Sequence, residues 1–458
     1  MIERITDEFY LSMFHNAEMH LRNADNELQE TLSKEKLIDR ILMERHSEEG
    51  LSLEESAVLI HLIRNYPDDQ LKEKVCDAAR LLRKEVFGDK VATMVPIEAS
   101  SYCASTCKFC GWRADNKEMV RTRISVEAIR KQARSLAKKG ISHFEIVGGD
   151  DIKFFKTDLV PMIQALKEET RAIDPDSRVS MCFTAMHEEH YAQFKEAGLD
   201  CVLTWQETYN EDLYNFHVPS GPKAKGLTRD FRVVRDGNGF LDRLKSNESA
   251  VRVGLQVGLG AMVGLADNTE ADILSVIMHG NKLLNHYSRH IQPIIIGMPA
   301  WNAITTEKTD HRFSLGFHFD NFENCFELIS AIYLLGFPDH LSWVFANGRV
   351  RPEVQIDCIK TASCFTSTLV QIAPGGYLDF DVDGNLLEDK ESIFVLSSLP
   401  LDKLNQETIL SGEQFSHFYA SHEEFLDMFA ARGLCVVSDK SFIMDAIAAQ
   451  KVSKQVAL

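Results

Sequence analysis

Three cysteines, Cys103, Cys107 and Cys110, sit in the stretch SSYCASTCKFCGW at residues 100–112. A C-x3-C-x2-C run without a fourth cysteine beside it matches neither the paired C-x2–4-C of a structural zinc site nor a disulfide framework. Cysteine thiolates hold iron–sulfur clusters, commonly four of them around a [4Fe–4S] cube. A loop supplying three leaves one iron with no protein ligand in this stretch. Open coordination positions are where metal sites bind substrates or cofactors. The Ser, Ala, Thr and Lys residues around the thiols are poor core material, which argues against three unrelated buried cysteines. A zinc ion with a distant fourth ligand is the competing reading of these residues.

Such a loop needs a scaffold, and the 458-residue chain has ample material for one. Its net charge of −18 disfavours nonspecific binding to nucleic acid. No run of about 18 apolar residues suggests a membrane span. The N-terminus, MIERITDEFYLSMF, lacks the apolar core of a signal peptide, so a cytoplasmic location with reduced thiols is expected.

Residues 1–90 read as a helical region. SLEE at Ser52–Glu55 is a capping box, and a second helix with Leu71, Val75, Ala78, Leu82 and Val86 on one face ends at Gly88. From residue 91 short apolar runs alternate with amphipathic helices such as Ser125–Lys139 and Asp320–Leu335. The runs are 91–97, 143–147, 179–183, 200–204, 252–259, 292–296, 341–346 and 367–372. Helical crossovers imply parallel strands, and eight such units close into a (β/α)8 barrel spanning 91–378; an open doubly wound sheet is the alternative. Residues 379–458 read as a small extension, with a hairpin at FDVDGNLL and a capped helix in SHEEFLDMFAARG. In a barrel the cysteine loop follows the first strand and lies on the catalytic rim.

C-x3-C-x-aromatic-C, with Phe109 before the last cysteine, resembles the signature of the radical S-adenosylmethionine (SAM) superfamily. The runs WQETYNEDLYNFHVPSGPK (205–223) and GLGAMVGLAD (258–267) resemble its biotin-synthase-like branch. Within that branch they are most similar to the tyrosine lyases of thiamin synthesis and hydrogenase maturation and to tryptophan lyase. The resemblance covers roughly residues 50–380. It implies a [4Fe–4S] cluster on the three cysteines, whose open iron chelates the amino and carboxylate groups of SAM. One electron then cleaves SAM to methionine and a 5′-deoxyadenosyl radical, which takes hydrogen from a small-molecule substrate. An external donor such as flavodoxin or ferredoxin is implied as the electron source.

The same resemblance assigns SAM contacts to Gly148, Gly149 and Asp150 in GGDD, with Asp150 where the family has glutamate. Glu207 falls where the branch places a polar contact to SAM, and Arg229 near an arginine that pairs with the SAM carboxylate. One departure bears on the substrate. Where the lyases carry an arginine-rich P-R-x-R-P stretch, this chain reads PIIIGMPAWNAI (293–304), with Met298 and Trp301 and no arginine. Burying a substrate carboxylate needs a charged partner. Trp301 and Arg349 are therefore the candidate substrate-site residues, and free tyrosine is not the expected substrate. The expected function is a radical SAM lyase or mutase in biosynthesis. The alternatives are an iron–sulfur electron carrier or redox sensor, and a zinc-dependent barrel hydrolase.

Overall fold

The computed structural model describes residues 2–30, 33–63, 69–287, 292–301, 325–412, 414–415, 418 and 420–456, with side chains to residue 449. Four helices come first: α1 (Asp7–Glu30), α2 (Lys34–Glu44), α3 (Leu53–His61) and α4 (Asp69–Phe87). The Ser52 hydroxyl accepts from the Glu55 N–H while Glu55 returns a carboxylate to Ser52 N–H, so the capping box forms as read. α4 buries Leu71, Val75, Cys76, Ala79, Arg83 and Val86, a stripe shifted by one residue from the expected one at its centre. Arg83 causes the shift: its guanidinium donates to the carbonyls of Ser363, Gly88 and Lys90 and drags that face inward.

Strand β1 (Lys90–Ser100) is followed by a short antiparallel β2 (Thr122–Ile124). Seven strands parallel to their neighbours come next: β3 (His143–Gly148), β4 (Arg178–Cys182), β5 (Cys201–Leu203), β6 (Gln256–Gly260), β7 (Ile294–Gly297), β8 (Ser342–Ala346) and β9 (Phe365–Ser367). β9 pairs back onto β1, with Ala92 opposite Phe365 and Met94 opposite Ser367, so the sheet closes into an eight-stranded parallel barrel. The strands are buried on both faces because helices cover the outside and side chains fill the inside. The helix Val126–Lys138 is capped by Ser125 and ends before Gly140, whose φ of +88° suits a left-handed C-terminal turn.

Two strand readings need correction. Arg252 is the last residue of a helix, Gly239–Arg252, and Gly254 (φ +79°) turns the chain so that the sixth strand starts at Gln256 rather than at residue 252. The eighth barrel strand is Phe365–Ser367, not 367–372. Phe365 and Thr366 find partners on both β1 and β8 and Ser367 on β1, and beyond them the chain leaves the sheet to cross the barrel mouth. Of the helix read as Asp320–Leu335, Cys325–Leu335 is helical and 320–324 lie outside the described residues.

The extension adds β10 (Phe394–Ser397) against β2 and β11 (Cys435–Val437) against the start of β1. In FDVDGNLL a single bridge joins Phe380 to Leu386 around Gly384 (φ +77°). The Asp381 carboxylate accepts from the N–H groups of Asp383 and Asn385, so it serves the turn.

A helix beginning at Lys440 closes the bottom of the barrel. Just before it, fully buried Asp439 accepts from Arg178 at 2.8 Å and pairs with the His143 ring at 2.9 Å, at the starts of β4 and β3. Burial alone would raise this carboxyl's pKa, but Arg178 and His143 override it and hold it at about 2. Breaking one side of a buried pair costs about 3–5 kcal/mol. Asp439→Asn is therefore expected to lose about that much unfolding free energy in urea at pH 7. A depressed carboxyl contributes stability above its unfolded pKa of about 4 and loses it as pH falls toward 2. The gap between wild type and variant should therefore narrow below about pH 4.

Candidate active site

The cysteine loop leaves the top of β1 and is held by one buried arginine. Arg121 donates to the carbonyls of Ser101, Trp112, Arg113 and Asn116, satisfying its planar fork with backbone and fixing the loop's path. Two of the thiols then have anchors of their own. Cys103 Sγ accepts from the N–H groups of Ser105 (3.4 Å) and Asp150 (3.3 Å). Cys110 Sγ accepts from the Gln414 amide at 3.3 Å. The loop backbone between them is tied to another rim segment, with Thr106 N–H donating to Ser220 and Lys108 N–H to His217.

Two glycines make this packing possible. A Cβ on Gly149 would overlap the Tyr102 carbonyl and come within 2.8 Å of Cys103 Cβ. Gly221, at φ +94°, has Ser105 Cα where its own Cβ would be. Close backbone approach excludes a side chain at both.

Burial raises the pKa of all three thiols, Cys107 to about 12 against the opposing pull of Lys223. By themselves they hold their protons at neutral pH. A group bound here must bring positive charge to make them thiolates, as metal centres do.

Beside the loop, the barrel mouth opens into a cavity of about 160 Å³. Cys110, Phe109, Gly148 and Asp150 line it from the loop side. Trp205, Met262, Pro299 and Phe345 give it apolar walls, with the Trp205 and Phe345 rings parallel at 6.5 Å. Glu207, Lys223, Arg243 and Arg349 bring charge into it, and Gln414 and Phe415 from the extension line it as well.

Glu207 sits after β5 in the left-handed region (φ +72°), so its carboxylate is delivered inward. It meets Lys223 at 2.8 Å and Arg243 at 3.5 Å. Burial pushes its pKa up, but those two cations win and keep it below the usual carboxylate range. Arg243 is 2% exposed and donates to the Trp205 carbonyl. Its Nε and one terminal nitrogen have no partner. A buried guanidinium with free donors in a cavity wall is a ready acceptor of a bidentate anion.

Several expectations are corrected by these positions. Arg229 does not reach the cavity: it is exposed, pairs with Glu189 at 2.8 Å and lines a separate surface groove. The helix Gly239–Arg252 carries Arg243 inward instead. Trp301 is buried core, its backbone N–H donating to the Val263 carbonyl, and Pro299 rather than Trp301 or Met298 faces the cavity. Arg349 does line it, donating to the Ala300 carbonyl and lying 3.6 Å from the Phe415 ring centre. Asp150 is committed to the loop, its carboxylate accepting from the Ser105 hydroxyl and its carbonyl from Ala104. Asn302–Ile304, the end of the apolar stretch, lie outside the described residues.

Sequence reading missed Glu98, Glu145, Lys223 and Arg243. The first two carried a signal: a charged residue inside a strand buried on both faces is abnormal.

Residues 97–278 match the model of the radical SAM superfamily. The chain carries a radical SAM domain. It is 29% identical over 221 residues to 2-iminoacetate synthase of Escherichia coli, covering 47% of this chain and 52% of that protein. It is 26% identical over 206 residues to 3-methylornithine synthase of Methanosarcina barkeri, covering 44% and 52%. Over 211 residues it is 26% identical to the [FeFe] hydrogenase maturase subunit HydE of Thermotoga maritima, covering 46% and 54%. The chain thus spans about half the length of the curated relatives it matches, and the biotin-synthase-like branch fits.

The fold is similar to the FeFe-hydrogenase maturase HydG from Carboxydothermus hydrogenoformans, at a TM-score of 0.72 and 18% identity over 95% of this chain and 86% of that one. It is also similar to methylornithine synthase (PylB), at 0.60 and 18% over 89% and 99%. Members of the radical SAM superfamily use a [4Fe–4S] cluster and SAM. The radical SAM domain here fits both: Cys103 and Cys110 on separate anchors with Cys107 buried between them in the same loop, and unpaired donors of Arg243 in the wall of the adjoining cavity. Among the described residues no helix is long and apolar enough to cross a membrane.

Proposed function

We propose that this protein is a radical SAM enzyme that abstracts hydrogen from a small biosynthetic substrate held in the barrel cavity, with cleavage or rearrangement of its carbon skeleton. The carrying observation is that Cys110 and the half-satisfied Arg243 line one cavity at the barrel mouth. An electron carrier needs no such chamber. Cys103, Cys107 and Cys110 would hold the cluster, and Arg243 would receive the SAM carboxylate. When bound, the cluster supplies the electron that splits SAM.

The chain's own residues do the positioning. Arg121 and Asp150 fix the loop, and Glu207 holds Lys223 and Arg243 in place. The Trp205 and Phe345 walls exclude water from the reacting region, which protects a radical from side reactions. The setting is cytoplasmic, with a flavodoxin or ferredoxin as electron donor. Free tyrosine is not the substrate, since no arginine follows β7 within residues 298–304.

The anaerobically reconstituted, dithionite-reduced protein should convert SAM to 5′-deoxyadenosine and methionine, scored by chromatography. It should form no p-cresol from added tyrosine. A brown, iron-loaded preparation that leaves SAM intact would favour the electron carrier instead.

A further inference from the structure

The cavity contains two carboxylates that the proposed function does not use. Glu98 on β1 and Glu145 on β3 project from adjacent strands whose register pairs Glu98 with Val147 and Pro96 with Glu145. All four residues line the cavity, so both carboxylates belong to its inner face. Glu98 is 2% exposed and Glu145 7%. Neither makes an ion pair among the described residues, and Glu98 Oε2 has no hydrogen-bond partner. Among the other charged groups of the cavity, Glu207 pairs with Lys223 and Arg243, Asp150 with Ser105, and Arg349 with the Ala300 carbonyl and the Phe415 ring, while the two donors left on Arg243 are those assigned to the SAM carboxylate.

An unpaired carboxylate buried in a protein interior is costly, and two on neighbouring strands repel each other as well. Burial pushes Glu145 up to about 8, and burial together with the neighbouring Glu145 raises Glu98 as well, opposed by Arg349. A glutamine or an aliphatic residue would serve packing better at either position. What repays the arrangement is a cation arriving from outside. The neighbouring Trp205, Phe345, Met262 and Pro299 surfaces suit the hydrocarbon body behind that cation.

We infer that Glu98 and Glu145 form a subsite for a protonated amine, so that the substrate is a small aliphatic molecule carrying a cationic nitrogen. This rests on the reading of the cavity as the substrate chamber. The two carboxylates would share the ammonium, whose three donors suit an acceptor-only pair.

The test uses the reconstituted full-length protein and four probes: cadaverine, butylamine, pentane-1,5-diol and glutarate. Binding is measured by calorimetry, with thermal unfolding as a check on folding. Cadaverine and butylamine should bind and raise Tm, while the diol and the diacid should not. Glu98→Gln and Glu145→Gln should each weaken cadaverine at least tenfold, and each variant without ligand should melt no lower than wild type, because a neutral amide of the same shape replaces a carboxyl whose charged form burial disfavours. Equal binding of diol and diamine, no binding of either amine, or cadaverine affinity within twofold of wild type in both variants would overturn the inference. SAM cleavage by the same wild-type preparation separates the two readings. Amine binding through Glu98 without SAM cleavage would sink the enzyme and leave the subsite. SAM cleavage without amine binding would do the reverse.

Discussion

Cys107→Ala should abolish SAM cleavage and remove most of the iron, from about four per chain toward none after anaerobic reconstitution. Cys107 is the central thiol of the loop and 5% exposed, and its pKa of about 12 shows how little the site favours a bare thiolate. Cluster iron must supply the charge that makes it one, so the loop binds as a three-point unit rather than as independent ligands. Cys103→Ala and Cys110→Ala should behave alike, for the same reason. Iron by colorimetric assay, the absorbance of the brown protein and 5′-deoxyadenosine by chromatography read three separate consequences. A Cys107→Ala protein with full iron and full SAM cleavage would sink the assignment of the site. Unfolding midpoints of the apo forms should stay close to wild type, since alanine in a polar loop removes little buried surface.

The second large effect concerns Arg243. Arg243→Gln should weaken SAM binding by roughly 10- to 100-fold while leaving the iron content unchanged, the loss expected for a hydrogen bond to a charged group. Arg229→Ala should shift affinity less than twofold, because Arg229 pairs on the surface with Glu189. Equilibrium titration of the oxidised, cluster-loaded protein with SAM measures both. Removing Arg243 also takes one cation from Glu207, though Lys223 remains at 2.8 Å. The double variant Arg243→Gln with Glu207→Gln therefore tests for a local charge imbalance: affinity restored by the second change would show that the first acted through Glu207. Lost affinity in Arg229→Ala with unchanged affinity in Arg243→Gln would return the SAM-carboxylate role to Arg229.

The sequence by itself determined the barrel and its metal loop. Apolar runs separated by amphipathic helices admit few solutions, because parallel strands need helical crossovers and a closed sheet has no edge to protect. Local signals such as Ser52, Ser125 and Gly140 act within a few residues, so they are legible without the rest of the chain. The cysteine triplet is equally local: its ligands lie within eight residues, Cys103 to Cys110.

The lining of the cavity was decided only in three dimensions. Arg229 and Arg243 are both plain arginines in the chain. Which of them enters depends on how the helix Gly239–Arg252 packs against its neighbours, a long-range outcome. Trp301 looked like a wall residue from its neighbours in sequence, but the turn after β7 points Pro299 inward and leaves the indole in the core. The extension, which showed no chemistry in sequence, reaches back through Gly412, Gln414 and Phe415 to hold Trp112, Cys110 and Arg349. Glu98 and Glu145 are two residues out of register, and so on the same face, on two strands distant in sequence. Only closure of the barrel turns them into one pair facing one space.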